Sequence, residues 1–205
     1  MQGLDIIFGI IGLIFSVVVH EVSHGYAALA LGDPTAKLSG RLTLNPLKHL
    51  DPFGSVILPG ILVILQSPFL LGWAKPVPYN PYNLRKGRWG PIMVAAAGPL
   101  SNFVIAFVLS VFVRLGAVPF SAFSIVITLI IINIMLGLFN LLPFVPLDGS
   151  KILFALLPYR LRYVEEFLYR YQFAIVLFLL IFAWRPFISI ALPAFVNLFV
   201  GFSVF

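Results

Sequence analysis

The sequence of 205 residues has no cysteine and little charge, since only 10% of its residues are Asp, Glu, Lys or Arg. The absence of cysteine excludes disulfide bonds and thiolate metal ligands, so a metal would have to be bound by histidine and carboxylate side chains. Those side chains are also scarce, because the chain contains three histidines and seven acidic residues. The places where they cluster are therefore the main candidates for chemistry.

Apolar side chains dominate instead, at 61% of the residues and a mean hydropathy of +1.08. Residues 6–19 read IIFGIIGLIFSVVV, with one serine as the only polar side chain. A helix needs about 20 mostly apolar residues to cross a bilayer, and no basic residues precede this run as they would in a cleavable signal. The composition predicts a single all-α polytopic membrane domain over residues 1–205, embedded in the lipid bilayer.

The net charge of +6 does not indicate a nucleic-acid partner. The Lys and Arg residues collect in loops, which is typical of the cytoplasmic loops of membrane proteins. No Lys or Arg precedes the first helix, whereas the connection 33–52 carries three. The positive-inside rule then places the N-terminus outside and this connection in the cytoplasm.

About five transmembrane helices account for most of the apolar residues. They are predicted at about 5–31, 91–113, 121–142, 171–184 and 187–204. Between the third and the fourth, a short helix is predicted from Asp148 to Leu157 and an interfacial helix within 160–170. In the connection 33–52, the piece KLSGRLTL alternates apolar and polar residues, which favours a short strand or hairpin.

The apolar segment 53–73 differs from these spans because breaks at Pro59 and Pro68 interrupt it. The loop 74–90 that follows is basic, like the connection before it, so both are expected in the cytoplasm. Both placements hold only if the segment enters and leaves the membrane on one side. We therefore predict a re-entrant segment, whose irregular backbone is buried in protein or lines a wet cavity.

The sharpest chemical signal is the motif H-E-x-x-H formed by His20, Glu21 and His24. On a helix, side chains four residues apart share one face, so both imidazoles can bind one ion. Glu21 lies beside that face and can act on a water at the metal. The motif is short enough to recur by chance, but ionisable groups within a membrane helix are costly and usually functional.

A catalytic zinc commonly has three protein ligands and one open position, so a third ligand is needed. The long metzincin pattern would require histidine at position 30, which is Ala30, and no Glu lies between Glu21 and Glu165. The remaining candidates are Asp33, His49, Asp51 and Asp148.

Asp148 is the best of these candidates because it follows a long apolar span in NLLPFVPLDG (140–149). The two prolines of this stretch break the helix and can turn the chain so that Asp148 faces inward. The competing interpretation is an N-cap for the helix that starts at Gly149, a role that Asp fills well. Spacing alone leaves both open.

Three motifs of the sequence resemble motifs of the site-2 protease family of intramembrane metalloproteases and follow each other in the same order as in that family. They are HEVSH (20–24), AAAGPLSNF (95–103) and NLLPFVPLDG (140–149). The resemblance implies that His20, His24 and Asp148 bind one Zn²⁺ per chain and that Glu21 is the catalytic base. It also implies a membrane-associated β-hairpin after the first helix, and the short prokaryotic branch without PDZ or CBS domains.

The resemblance implies a zinc-dependent endopeptidase that cleaves transmembrane or membrane-anchored proteins within or near the bilayer. We expect a multi-pass protein of the cell membrane with its active site toward the cytoplasm. Asn102 and Asn140 lie in family motifs, so substrate or site support competes with interhelical hydrogen bonding, the role expected for Asn133. The alternatives are a non-proteolytic membrane zinc-binding or transport protein and an inactive protease-like scaffold. The substrate and the oligomeric state stay open.

Overall fold

A computed structural model describes residues 2–66, 72–183 and 186–202, and these ranges fold as a helical bundle without a β-strand. Their α-helices are α1 Gln2–Ala30, α2 Thr35–Leu38, α3 Leu58–Ile64, α4 Trp89–Arg114, α5 Phe120–Asn140, α6 Asp148–Leu156, α7 Arg162–Arg170, α8 Gln172–Phe178 and α9 Leu192–Val200. Single 3₁₀ turns occur at Pro46–Lys48, Pro81–Asn83 and Tyr159–Leu161, and π-helical turns at Pro52–Ile57, Leu179–Ala183 and Phe187–Ala191.

Three of these helices, α1, α4 and α5, are long and apolar enough to cross a membrane, which confirms the first, second and third predicted spans. Large apolar side chains remain exposed along them, such as Ile10, Phe107 and Phe112. In water, an exposed apolar surface of this extent would promote aggregation, whereas in a membrane it contacts the lipid chains. The protein is therefore a membrane protein.

The structure describes the two later predicted spans, 171–184 and 187–204, only in part. Their described helical turns cover 172–183 and 187–200, which is less than the about 20 residues that a span needs. Residues 184–185 and 203–205 lie outside the described part of the chain. Within the described ranges three candidate spans are observed, so the predicted number of about five is not confirmed.

Helix α4 lies at the centre of the bundle, where it packs against α1, α5 and α6. Ala106 of α4, Ile130 of α5 and Val196 of α9 are fully buried in one apolar cluster. Small side chains on α4 allow its neighbours to approach closely, as is common in membrane bundles. This arrangement brings α1 and α6, which are far apart in the sequence, against the same helix.

The β-hairpin predicted for 33–52 is not formed, because the backbone of this connection is bonded locally. The N–H groups of residues 38–41 all donate to carbonyls three to five residues earlier, so they are not free to form a ladder. Thr35–Leu38 is a single helical turn that ends before Gly40, whose φ of +66° reverses the chain. The alternating pattern is therefore too short, and too interrupted, to specify strands.

The two ends of the predicted re-entrant segment 53–73 meet. The N–H of Trp73 donates to the carbonyl of Gly54 (3.1 Å), and the hydroxyl of Ser55 donates to the carbonyl of Trp73 (2.7 Å). The Trp73 ring also packs closely over Gly54, where a larger residue would clash. Helix α3 within the segment has only seven residues. Residues 67–71 lie outside the described ranges.

Asp33, at the end of α1, joins that helix to the chain before α4. Its carboxylate is fully buried and accepts hydrogen bonds from Thr35, from the backbone of Asn80 (2.6 Å) and from the amide of Asn83 (2.9 Å). Burial alone would raise the pKa of this carboxyl, but these hydrogen bonds outweigh it and hold the pKa below its ordinary value. Asp33 is therefore a structural anchor between the end of α1 and the chain before α4.

Candidate metal centre

The side chains of His20, His24 and Asp148 converge in one buried cluster between α1 and α6. Oδ2 of Asp148 lies 3.1 Å from Nε2 of His20 and 2.9 Å from Nε2 of His24, and the two nitrogens are 3.1 Å apart. All three residues are less than 7% exposed. The i, i+4 spacing on α1 explains how both rings reach one point.

The protonation of both rings follows from the partners of their other nitrogens. Nδ1 of His24 lies 2.7 Å from the carbonyl oxygen of Val94, which only accepts, so this nitrogen must donate. Nδ1 of His20 likewise donates to Oδ1 of Asn102 at 2.6 Å. In the neutral rings, both Nε2 atoms then carry a lone pair toward the carboxylate oxygen. Three acceptors that face one another without a proton between them repel, and a cation placed among them, either a metal ion or a proton on one ring, relieves the repulsion.

The side-chain amide of Asn102, on α4, is held with its oxygen toward His20. It is fully buried, and its amide nitrogen donates to Oδ1 of Asn133 (3.0 Å) and to the carbonyl of Ser16 (3.3 Å). Because both partners accept, Oδ1 of Asn102 faces His20. Asn133 donates in turn to the hydroxyl of Ser16 (2.9 Å), so its expected interhelical role is confirmed.

Gly98 of α4 lies directly against the imidazole rings of His20 and His24. A Cβ added at this residue would lie 2.6 Å from Nε2 of His20 and closer still to Nε2 of His24. The backbone of α4 therefore approaches the cluster as closely as a helix can. Any residue larger than glycine at this position would crowd both imidazole rings.

The donor set fits Zn²⁺. Two imidazole nitrogens and one carboxylate oxygen are ligands typical of catalytic zinc. Ligands that share one zinc at about 2.0–2.2 Å must lie within about 4 Å of each other, and these atoms satisfy that condition. Each histidine also donates its other N–H to an oxygen, the usual outer-shell arrangement for ligating histidines.

Asp148 does not serve as the helix cap that its position allowed. Helix α6 begins at Asp148 itself, and its N-terminus has no side-chain cap. One carboxylate oxygen faces the histidines, and the other accepts a hydrogen bond from Nζ of Lys151 at 2.8 Å. Lys151, one turn further along α6, thus fixes how the carboxylate is turned.

We expect Lys151→Met to weaken zinc binding by about 10-fold or more, because the carboxylate of Asp148 loses the group that orients it. Competition with a chromophoric chelator measures the affinity and requires no substrate. Lys151→Arg keeps a cation at this position and should retain most of the affinity. Equal zinc affinity in Lys151→Met and the wild type would contradict an orienting role.

The other candidate ligands are engaged elsewhere. Nε2 of buried His49 lies 2.8 Å from the carbonyl of Thr43, and Asp51 caps the turn Pro52–Ile57 by accepting from the N–H of Gly54. Asn140 donates to the carbonyl of Leu136 in its own helix (3.0 Å). Among the described residues, the cluster that can hold a metal is the one formed by His20, His24 and Asp148.

Sequence reasoning missed the contributions of Gly98, Lys151 and the Val94 carbonyl. Gly98 lies within the AAAGPLSNF motif, which indicated that the position matters. Only the packing of α4 against α1 shows that glycine is needed there for the close approach to the two histidines. Lys151 had a local signal, because residues three apart on a helix are neighbours. The Val94 carbonyl could not be identified from the sequence, because every residue has a backbone carbonyl.

The comparisons with known proteins agree with this site. The sequence matches the family described as Peptidase family M50 over residues 8–124 and 116–181. It is 43% identical to YwhC of Bacillus subtilis (strain 168), a protein named as a zinc metalloprotease, over 73% of this chain and 68% of the relative.

More distant relatives carry the same type of name. The chain is 28% identical to zinc metalloprotease MJ0392 of Methanocaldococcus jannaschii over 75% of its length, and 32% identical to Rip2 of Mycolicibacterium smegmatis, also named as a zinc metalloprotease, over 68%. These matches cover 35% and 53% of the two relatives. No solved structure matches significantly.

The family match covers most of the chain and includes all three residues of the cluster. The relatives given above are named as zinc metalloproteases, in agreement with the two imidazole nitrogens and one carboxylate oxygen of the cluster. The chain therefore belongs to peptidase family M50, the site-2 protease family, which makes it a metalloendopeptidase with Zn²⁺ as its cofactor.

Proposed function

We propose that this protein is an intramembrane protease that hydrolyses peptide bonds of transmembrane or membrane-anchored proteins. The observation that carries the proposal is the buried cluster of His20, His24 and Asp148, because its two histidines lie on α1, a helix long enough to cross a membrane. Ionisable side chains within a membrane-spanning helix are costly and usually functional, which supports a site that acts within the bilayer.

The three clustered residues are proposed as the ligands of one zinc ion, which would act as a Lewis acid on the scissile carbonyl and on the attacking water. Glu21 is proposed as the general base. It follows His20 directly on α1, is half-buried and is not part of the cluster, so its carboxylate is not needed as a metal ligand. It removes the proton from the attacking water and delivers it to the leaving amine nitrogen.

Asn102 acts through His20 in this scheme. It holds Nδ1 of the ring protonated, so that Nε2 presents its lone pair to the metal. Asn140 lies at the end of α5 and is half-buried, and its role on the substrate side is proposed only from its place in the family motif. The proposed role of Asn102 is the better supported of the two, because it rests on a hydrogen bond to His20.

We also propose a multi-pass topology in the cell membrane, with the metal toward the cytoplasm. Residues 53–73 would be re-entrant, supported by the contacts between Gly54 and Trp73 at their two ends. The apolar, exposed residues of α8 and α9, such as Phe173 and Leu198, support further spans in 171–184 and 187–204. About five spans would then form one domain over 1–205.

The proposed function is tested by membrane proteomics on cells that carry either the wild type or Glu21→Gln. We expect at least one membrane protein to accumulate at full length in the variant and to appear as a fragment in the wild type. Cells that lack the protein altogether should accumulate the same full-length protein. Identical membrane proteomes in all three strains, together with zinc transport into vesicles, would favour the transport alternative.

A further inference from the structure

The segment 72–83 crosses α1 at the level of Glu21. The backbone N–H of Val77 donates to Oε2 of Glu21 at 2.9 Å, although the two residues are 56 positions apart. Among the described residues, this is the one hydrogen bond that the carboxylate of Glu21 receives. The contact is not explained by helix formation or by the metal cluster.

Two prolines flank this donor, in the order Pro76, Val77, Pro78. Proline has no N–H, so Val77 offers the only backbone donor of the three residues. The ring of Pro78 also restricts the backbone of Val77 to extended conformations. A slip of the segment by one residue in either direction would present a proline to the carboxylate and lose the bond.

The segment is anchored on both sides of Val77. The N–H of Lys75 donates to the carbonyl of His49 (2.8 Å), and the N–H of Asn80 donates to the carboxylate of Asp33 (2.6 Å). The side chain of Val77 is only 6% exposed and packs on Gly25, where an added Cβ would lie 2.9 Å from its Cγ1. The donor is therefore held in place from three directions.

We propose that the Val77 N–H is a positioning group for the catalytic base, and that the Pro76-Val77-Pro78 sequence exists to present it. Held by one oxygen, the Glu21 carboxylate keeps a single orientation and leaves its other oxygen to take and return the proton. This inference rests on the proposed role of Glu21 as the base. It makes the loop before α4 part of the active site.

The test separates the N–H from the side chain. Val77→Ala keeps the N–H and shortens the side chain, whereas Val77→Pro removes the N–H and stays compatible with an extended backbone. In a background where Glu165 and Glu166 are both replaced by Gln, Glu21 is the only glutamate of the chain. Labelling glutamate with ¹³C at the carboxylate then reports on Glu21 alone by difference infrared spectroscopy of the full-length protein.

We expect the carboxylate stretch of Glu21 to be the same in Val77→Ala and the background protein, and to shift to higher wavenumber in Val77→Pro. With a substrate identified by proteomics, kcat should fall by about tenfold or more in Val77→Pro, with little change in KM. Zinc content should be equal in all variants. An unshifted band in Val77→Pro, or equal kcat in the two variants, would overturn the proposal.

Two further comparisons keep the result interpretable. Should Val77→Pro lose zinc or unfold, the α-hydroxy analogue of valine at position 77 replaces only the N–H by an ester oxygen, and the same spectra and rates are compared. Failure of the proposed function looks different, because the membrane proteomes of wild-type and Glu21→Gln cells would then be identical. An inactive Glu21→Gln beside a fully active Val77→Pro would refute positioning alone.

Discussion

Glu21→Gln is expected to lower the turnover of a membrane substrate by about 10²–10⁴-fold, the range that a positioned general base contributes, while zinc remains bound. Glutamine has nearly the same shape, and its amide oxygen can still accept the hydrogen bond that the Val77 N–H gives to Glu21. The protein structure should therefore change little. What the variant loses is the ability to take a proton from water.

The measurement needs two readouts on the same purified protein. Cleavage of the substrate that accumulates in the variant strain gives kcat and KM, and elemental analysis gives the zinc per chain. Glu165→Gln, on the exposed and amphipathic α7, is a matched control with the same chemical change and should retain wild-type turnover. Substantial cleavage by zinc-loaded Glu21→Gln would mean that another group carries the proton.

Gly98→Ala is expected to weaken zinc binding by at least 10-fold to 100-fold, although the residue is not a ligand and is changed by only one methyl group. The new Cβ would lie within 3 Å of Nε2 in both histidines. Relief requires either that α4 moves away from α1 or that the rings rotate. Ring rotation would break the bonds from His20 to Asn102 and from His24 to the Val94 carbonyl, and overpacking of this kind typically costs about 1–3 kcal/mol.

A chelator titration of zinc affinity, together with thermal unfolding, distinguishes a damaged site from a damaged fold. Gly9→Ala on α1 is the matched control, since a Cβ there meets only Cγ2 of Thr128 at the ordinary distance of 3.7 Å. We expect this control to bind zinc like the wild type. Wild-type zinc affinity in Gly98→Ala would show that the close approach of α4 does not shape the metal centre.

Local patterns in the sequence were sufficient for much of the fold and half of the site. The H-E-x-x-H spacing places His20 and His24 on one helical face wherever that helix lies. The long apolar runs predicted α1, α4 and α5, and the helix from Asp148 was predicted to within one residue at its end. These features depend on residues a few positions apart, which is why they can be read along the chain.

The hairpin prediction for 33–52 failed for the same reason that the helix predictions succeeded. Period-two alternation in KLSGRLTL carries no information on where the backbone groups find partners. In the structure those groups bond within a few residues of each other. Competition between local turns and a ladder is decided by contacts with the rest of the protein, and Ala36 is fully buried there.

The sequence by itself determined the chemistry that is available: two imidazoles on one membrane helix, a carboxylate beside them, and the family to which the chain belongs. Only the tertiary structure decided which of these groups lie in contact with one another. It placed Asp148, a possible helix cap, in the cluster with both histidines, packed α4 against their rings at Gly98 and brought the Val77 N–H to Glu21. The physical reason is separation along the chain, because these contacts join residues 56 to 128 positions apart that meet only when helices pack.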